Sequence, residues 1–406
     1  MPTLAPPAYL AATRREDVWL IGLVSLAHGT SHFAQVLLPP LFPWLKDEFA
    51  VNYAQLGALL TIFFVVSCVV QAFSGFWVDK HGPRPVLFAG LGLLVLAAAG
   101  FASSPSYAAM AACAVVAGIG NGVFHPVDYT LINRLVAPPR VGHAYSSHGV
   151  SGNLGWALAP ALLAPLALAY SWRVALWVAV GFAAAVWLLL WSQRERLVLP
   201  ALPAAAKGGK VQEGGFDFLR IPAVWVCFAF FLFFAMVLSG IQAFAPEAAR
   251  QLHDVPLAWV AQCLTIYMVC AALGMVGGGF LASDPERSER MVALGVGVAA
   301  CVALTLAFAS LPAAAVPVLF GVMGLASGSA SPARDMLVKR STPANASGRV
   351  YGVVYSGLDI GQAIAPLIFG RLMDLHQPQS IWIGIALFQV LLITTAFQVH
   401  RVRRES

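Results

Sequence analysis

Residues 126–160 read PVDYTLINRLVAPPRVGHAYSSHGVSGNLGWALAP, and residues 332–366 read PARDMLVKRSTPANASGRVYGVVYSGLDIGQAIAP, so the two stretches align without a gap at an offset of 206 positions. Nine aligned positions are identical, and they include Gly, Pro, Tyr and Arg residues that an apolar composition does not supply freely. The identical pairs are Pro126/Pro332, Leu131/Leu337, Arg134/Arg340, Gly142/Gly348, Tyr145/Tyr351, Gly155/Gly361, Ala157/Ala363, Ala159/Ala365 and Pro160/Pro366. An offset of about half the 406-residue chain indicates one architecture encoded twice.

The composition is that of a membrane protein. Hydrophobic residues make up 59% of the chain and charged residues 10%, and the mean hydropathy is +0.78. A helix needs about 20 apolar residues to cross a hydrocarbon layer of roughly 30 Å, whereas a barrel would show short alternating strands. We therefore predict an all-α integral membrane protein with twelve transmembrane helices. The predicted spans are residues 17–42, 53–78, 85–104, 107–135, 141–169, 171–193, 222–247, 257–281, 289–309, 313–340, 348–375 and 379–400.

One long polar connection divides these spans into two sets of six. It covers residues 194–221 and contains charged residues and a Pro/Ala/Gly stretch. We predict an N-terminal six-helix bundle at 1–193, a cytoplasmic linker at 194–221 and a C-terminal six-helix bundle at 222–406. Two bundles related by a parallel repeat are a transporter design, with a substrate site between them near the middle of the membrane.

The basic residues give the orientation, because Lys and Arg accumulate in cytoplasmic loops. With both termini in the cytoplasm of a bacterium, all but four of the 24 basic residues lie on the inner side of the cytoplasmic membrane. The exceptions are Lys46, Arg173, Arg250 and Arg371. This placement accounts for the net charge of +6, so we expect no nucleic-acid partner. The first helix, which follows Arg14 and Arg15, is expected to act as its own insertion signal.

The loop after predicted helix 2 carries the first specific motif, because residues 75–84 read GFWVDKHGPR. It resembles the signature of the major facilitator superfamily in Gly75, Asp79, Lys80, Gly82 and Arg84. This resemblance implies a two-bundle transporter in which these five residues latch the halves together on the cytoplasmic side. Physically, a glycine permits close helix contact, and an aspartate can interact with a helix N-terminus and with nearby cations.

A second resemblance lies in predicted helices 4 and 5. Residues 123–126 read VFHP, residues 152–155 read GNLG, and Pro160 follows. These motifs resemble the fosmidomycin-resistance branch of the superfamily, which implies proton-driven export of small drugs. In predicted helix 5 Gly152 is followed by Asn153, where the antiporter motif of the family commonly has a Gly-Pro pair, so the motif leaves the direction of transport open.

Predicted helix 5 also carries Gly149, Gly152 and Gly155 at intervals of three residues. Such a stripe of small residues lets membrane helices approach closely, and we favour this packing role over direct contact with a substrate. Asn153 differs from the glycines because it aligns with Asp359 in the second copy of the repeat. Each half therefore has a polar side chain midway along an equivalent helix.

Polar side chains inside predicted helices 1 and 4 are the candidate site residues, since ionisable groups in a bilayer usually face a cavity or a partner. Each helix carries three at the i, i+4, i+7 spacing that places them on one face. They are His28, His32 and Gln35 in helix 1, and Asn121, His125 and Asp128 in helix 4. Gln242, which echoes Gln35 in predicted helix 7, completes the set with Asn153 and Asp359.

Histidine and carboxylate groups suit proton coupling, and we expect Asp359, His125 and His28 to carry protons. A single histidine inside a helix can instead be a hydrogen-bonded packing residue. His28 and His32 could also ligate a metal ion, but an i, i+4 pair without other nearby ligands in the sequence is insufficient, and we predict no metal site and no cofactor. The six cysteines all lie within predicted helices and indicate neither disulfides nor a zinc motif.

The repeat places Asp128 and Arg334 at equivalent positions of predicted helices 4 and 10. We hypothesise that they form an ion pair when the cytoplasmic side closes. Arg334 could equally extend toward the membrane interface or pair with its neighbour Asp335.

Together these features predict a monomeric, proton-coupled secondary transporter that exports a small polar or amphipathic compound by alternating access. The alternative within this class is a proton symporter that imports a small organic anion, held by protonated His28, His32 and His125. A membrane enzyme or sensor would require a nucleophile motif, a metal cluster or a large soluble domain, and none is visible in the sequence. The sequence also has no GxxxxGK[ST] loop for ATP, so we expect the energy to come from an ion gradient.

Overall fold

Helices form almost the whole of the described chain. The computed structural model describes residues 14–199, 222–281, 288–341 and 347–405, and these residues contain no β-strand. The first half consists of α1 (Arg14–Gln35), α2 (Phe42–Phe49), α3 (Tyr53–His81), α4 (Pro83–Ser103), α5 (Tyr107–Asn121), α6 (Phe124–Leu135), α7 (Val141–Ala169) and α8 (Trp172–Ser192). The second half consists of α9 (Pro222–Ala243), α10 (Ala245–His253), α11 (Leu257–Leu281), α12 (Ser288–Phe308), α13 (Ala315–Ser341), α14 (Ser347–Asp374) and α15 (Pro378–Glu405).

Nine segments of the described residues are long and apolar enough to cross a membrane. In α13 the apolar part is the shorter segment Ala315–Ser331, and α1 and α14 carry polar residues along their lengths. The all-α membrane architecture is therefore observed, while the count of twelve spans remains a prediction. Most of the predicted linker, residues 200–221, lies outside the described residues, so the two-bundle boundaries also remain predictions.

Three predicted helices are each divided into two. The span predicted at 17–42 ends at Gln35, and α2 follows a 3-10 turn at Pro39–Leu41. The span predicted at 222–247 becomes α9 and α10. The third division separates α5 from α6, where Pro126 has no N–H to donate to the carbonyl of Gly122. The Ser74 hydroxyl, 3.3 Å from Gly122 O, supplies a hydrogen bond there instead.

The helix packing repeats between the halves. In the first half α1 packs on α7, α3 on α5 and α4 on α8; in the second, α9 packs on α14, α11 on α13 and α12 on α15. The repeat even conserves a close backbone approach. A Cβ built on Gly155 would overlap Gly29 O of α1, and one built on the aligned Gly361 would lie 2.5 Å from Leu232 O of α9. The matched glycines thus bring equivalent helix pairs together.

The two halves meet along α3 with α14 and along α7 with α11. Their apolar contact is concentrated at one end, the end where α3 begins, where residues of both halves such as Leu59 and Phe369 join one hydrophobic cluster. At the opposite end each half has its own cluster, represented by Leu131 in the first half and Val292 in the second. The described structure is therefore packed shut at the Tyr53 end of the bundle.

Candidate functional site

Five ionisable side chains converge inside the first half, and we call them the histidine cluster. His28 and His32 come from α1, His125 and Asp128 from α6, and His148 from α7. All are buried except His125, which is half-buried. The i, i+4 spacing in α1 and the i, i+3 spacing in α6 place each pair on one helix face, as the sequence predicts.

Asp128 is the centre of the cluster. Its Oδ2 lies 3.1 Å from His148 Nε2 in a hydrogen bond and 3.3 Å from His28 Nδ1. The His28 and His148 rings stack with their centroids 3.4 Å apart, and the His32 ring lies 4.2 Å from that of His28. Burying a carboxylate without polar partners costs free energy, and the contacts with the imidazoles offset this cost for Asp128.

Glycines in α7 make this convergence possible. A Cβ on Gly152 would lie 2.6 Å from His32 Nδ1 and 3.1 Å from His28 Nε2, and a Cβ on Gly155 would overlap the α1 backbone. A Cβ on Gly149 would meet only Met275 Sδ at 3.7 Å, which is an ordinary contact. Gly152 and Gly155 therefore have the packing role that their spacing predicts.

His148 was not among the predicted site residues, although the sequence contains a signal for it. It precedes Gly152 and Gly155 by four and seven residues, so it shares the helix face that these glycines turn toward α1. Trp156, on the neighbouring turn, stacks on His32 with ring centroids 4.2 Å apart. Once the glycines are assigned to the α1 contact, the histidine on the same face becomes a candidate partner of His28.

A hydrogen-bonded chain extends from Trp156 across the first half. The indole Nε1 donates to Gln35 Oε1 at 3.0 Å, Gln35 Nε2 donates to Asn121 Oδ1 at 3.2 Å, and Asn121 Nδ2 donates to Ser67 Oγ at 2.8 Å. Gln35 and Asn121, both predicted as site residues, are thus brought together. Trp156 and Ser67 complete the chain and were not predicted.

Gln71 of α3 connects the histidine cluster with the second half. Its Oε1 lies 2.9 Å from His125 Nδ1, and its Nε2 donates to Asp359 Oδ2 at 3.0 Å. Asp359 therefore contacts the histidine cluster through a residue that the sequence did not single out. The sequence shows only a glutamine in an apolar helix, and the partners of its side chain are determined by the packing of α3 against α14.

Two of the predicted site residues lie apart from this network. Asn153 Nδ2 donates to the carbonyl of Gly149 in its own helix at 3.1 Å. Gln242 is buried beside a pocket at the Tyr53 end, which Pro39, Pro160 and Glu247 also line. The structure does not bring Asn153 or Gln242 together with the histidine cluster.

The predicted gating motif forms the turn between α3 and α4. Gly82 has φ +81°, a left-handed value that favours glycine, and the next residue begins α4. Lys80 is exposed, and Arg84 lies 3.5 Å from Glu195. Among the described residues, no atom outside the neighbouring residues and backbone of α3 comes within 4 Å of a Cβ built on Gly75.

The side chains of Asp79 and Arg334 are outside the described residues. The described partners of Asp128 are His148 and His28, and the hypothesis of an Asp128–Arg334 pair remains a prediction.

At the Tyr53 end a polar contact that the sequence did not predict joins the halves. The Asp374 carboxylate of α14 accepts hydrogen bonds from the backbone N–H groups of Tyr53, at 2.8 Å, and Ala54, at 2.9 Å. It thereby occupies the positive end of the α3 dipole. The Tyr53 hydroxyl donates to Glu247 at 3.1 Å, and Arg250 donates to the same carboxylate, which raises the pKa of the guanidinium.

Comparison with known proteins gives the family. The profile described as the Major Facilitator Superfamily matches residues 24–366. The fosmidomycin resistance protein of Escherichia coli (strain K12) is 32% identical over 162 residues, which cover 38% of each chain. The MFS-type transporter YfnC of Bacillus subtilis (strain 168) is 27% identical over 375 residues, 91% of this chain and 90% of its own.

A solved structure shows the same fold. A bacterial homologue of the human lysosomal transporter Spinster, crystallised in an inward-facing and occupied conformation, superposes with a TM-score of 0.77. The alignment covers 96% of this chain and 98% of that one at 14% sequence identity. The predicted resemblances to the superfamily and to the fosmidomycin resistance protein are thus confirmed, and the chain belongs to the Major Facilitator Superfamily of membrane transporters and is not an enzyme.

Proposed function

We propose that this transporter couples the movement of protons to the export of a small polar or amphipathic compound across the cytoplasmic membrane of a bacterium, with both termini in the cytoplasm. The observation that carries the proposal is the Gln71–Asp359 hydrogen bond. It places an ionisable carboxyl group between the two halves, where a change in its charge alters the contact between them. Bacterial relatives and the charge distribution support the membrane and the orientation.

The coupling follows from the strength of that bond. An ionised Asp359 accepts a charge-assisted hydrogen bond from Gln71, which is roughly twice as strong as a neutral one. Protonation of Asp359 weakens the bond and lowers the barrier to separating α3 from α14. With cytoplasmic termini, the packed Tyr53 end faces outward, so the described conformation is open toward the cytoplasm. Proton binding at Asp359 therefore loosens the contact between the halves at a point nearer the cytoplasm than the Tyr53 end.

One relative, the fosmidomycin resistance protein, favours export as the direction. The first half, which holds the histidine cluster and the VFHP motif, has the residue types that resemble the fosmidomycin-resistance branch. The charge of the cluster argues against the alternative, the import of an organic anion, because Asp128 already supplies a carboxylate beside His28 and His148. A second anion there would meet electrostatic repulsion in a buried site.

The direct test uses cells and vesicles. Deletion of the gene should lower, and overexpression should raise, the tolerance of the cell to at least one compound of a panel that includes fosmidomycin. An uncoupler should remove the difference. Inverted membrane vesicles should then accumulate that compound when a proton gradient, acidic inside, is imposed.

The variant that tests the coupling group is D359N. It should reduce gradient-driven accumulation at least tenfold while exchange of labelled for unlabelled substrate, which needs no net proton movement, persists. D47N, at an exposed position of α2, is the matched control and should behave like the unaltered protein. Full gradient-driven accumulation by D359N would overturn the role of Asp359, and unchanged tolerance to the whole panel would count against export.

A further inference from the structure

The histidine cluster contains more unsatisfied polar atoms than packing requires. Within the described residues, His28 Nδ1, His32 Nδ1 and Asp128 Oδ1 are buried and make no hydrogen bond, although His28 Nδ1 lies 3.3 Å from Asp128 Oδ2. Buried polar atoms are normally hydrogen-bonded, since each one left unpaired costs about 1–3 kcal/mol. Three such atoms in one cluster indicate that the site is arranged for a ligand.

The charge of the site indicates that the ligand is positively charged. One carboxylate is surrounded by four imidazoles, and a neutral imidazole presents a lone pair rather than a charge. A cation therefore offsets the charge of Asp128 and uses the lone pairs of the rings at the same time. Imidazole nitrogen together with one carboxylate oxygen is a donor set that suits Zn²⁺, Co²⁺ and Ni²⁺.

The distances fit a metal ion. Ligand atoms about 2.1 Å from a tetrahedral zinc ion lie about 3.4 Å from one another. Asp128 Oδ2 is 3.1 Å from His148 Nε2 and 3.3 Å from His28 Nδ1. Asp128 thus holds its oxygen close to the required separation from nitrogens on two other helices, and the ligand atoms of the three residues all lie within 4.8 Å of one another.

We propose that His28, Asp128 and His148 form a binding site for a divalent late first-row metal ion, such as Zn²⁺ or Co²⁺, inside the N-terminal half of this transporter. His32 and His125 stand next to the site, and their ligand atoms form a second group with that of His28, all within 4.8 Å of one another. Either can complete the coordination. The half-buried His125 lies on the side from which Gln71 approaches.

The sequence contains only part of this arrangement. Of the three proposed ligands, His28 belongs to α1, and Asp128 and His148 lie 100 and 120 positions further along the chain. The close approach of α7 at Gly152 and Gly155 brings His148 to the α1 face. The site is therefore a product of the helix packing.

The test measures metal binding in purified, detergent-solubilised full-length protein that carries an affinity tag without histidine. After treatment with a chelator and its removal, Co²⁺ is titrated and its visible d–d absorption is followed. Zinc content is measured by mass spectrometry after dialysis against Zn²⁺. We expect one ion per chain and a Co²⁺ spectrum typical of nitrogen and oxygen ligands in a four- or five-coordinate site.

Two variants and two controls decide the result. H148N and H28Q should each weaken Co²⁺ binding at least tenfold while the protein remains monodisperse on size exclusion. H143N changes an exposed histidine of the same helix α7, and H253N changes a buried histidine bonded to Leu306 O; both should bind like the unaltered chain. The proposal would be overturned if the protein took up neither Co²⁺ nor Zn²⁺, because the cluster would then bind protons only. It would also be overturned if H148N and H28Q both bound Co²⁺ as strongly as the unaltered protein.

The metal experiment is independent of the proposed transport function. It uses no gradient and no substrate, and D359N should bind Co²⁺ as the unaltered protein does, because Asp359 contacts Gln71 rather than the cluster. Export that is sensitive to an uncoupler without metal binding would contradict the metal site alone. Metal binding without such export would contradict the proposed transport function alone.

Discussion

Gln71 donates a hydrogen bond of 3.0 Å to Asp359, and these two residues belong to opposite halves of the chain. The same glutamine is 2.9 Å from His125, so one amide side chain contacts both the histidine cluster and the carboxyl group of α14. The bond lies far along α3 from the Asp374 contact at its N-terminus. The α3–α14 interface thus has polar contacts at both of these points, and between them the Thr61 hydroxyl donates to the carbonyl of Ala363 at 2.6 Å.

Replacing Gln71 with leucine should uncouple the two halves. The Q71L variant keeps the approximate volume of the side chain but removes both hydrogen bonds, so Asp359 loses its contact with the first half through Gln71. We expect gradient-driven transport in vesicles to fall at least tenfold, with little change in folded protein. Q398L, at an exposed position of α15, is the control. Normal transport by Q71L would show that the bridge has no part in coupling.

Removing the Asp374 carboxylate should favour opening at the Tyr53 end. D374A loses two hydrogen bonds to a charged acceptor, each worth about 1.5–3 kcal/mol, and leaves the first N–H groups of α3 unpaired. D374N retains one acceptor oxygen, so its effect should be intermediate.

The distance between spin labels at positions 47 and 377 reports this opening, in a background from which the six free cysteines have been removed. The distribution should shift to longer distances in D374A. D254N, an exposed aspartate outside the contact, should leave the distribution as it is. An unchanged distribution in D374A would contradict a gating role for the Asp374–α3 contact.

Adding a methyl group at Gly155 should destabilise the first half. The new Cβ would overlap the backbone carbonyl of Gly29, which cannot move without separating α1 from α7, so we expect a loss of about 1–3 kcal/mol. The aligned G361A should act similarly in the second half. Thermal unfolding in detergent measures both. G142A, on the same helix as Gly155 but with no packing contact within 4 Å of its Cβ among the described residues, should be nearly neutral.

These glycines show how far the sequence determines the fold. A gapless repeat predicts that Gly155 and Gly361 have equivalent surroundings, and the structure places each against the first long helix of its own half. The pairing of α3 with α14 could not be predicted in the same way. Gln71 has no counterpart in the repeat alignment, and its partners depend on how the two halves are docked, which no local pattern encodes.

The same distinction applies within the site. Periodicity places His28 with His32, and His125 with Asp128, because each pair lies on one helix. It does not place the two pairs relative to one another, since that requires the rotation of α1 about its own axis. Gly152 and Gly155 fix this rotation, because the space at their missing side chains is filled by the α1 face that carries Gly29 and the histidines.

Ser74 provides a last test, at the break between α5 and α6. Its buried hydroxyl lies 3.0 Å from Gln71 O and 3.3 Å from Gly122 O. The Gly122 carbonyl has no helical N–H donor, because the residue four positions later is Pro126. S74A should therefore leave a buried carbonyl unpaired and destabilise the protein by about 1 kcal/mol. S146A removes a similar hydroxyl that donates to Gly142 O at an exposed position, where water replaces it, and should be close to neutral. Because Ser74 borders the turn that orients His125 and Asp128, S74A should also weaken Co²⁺ binding more than S146A does. Equal unfolding temperatures and equal Co²⁺ affinities for the two variants would show that the break is maintained by Pro126 alone.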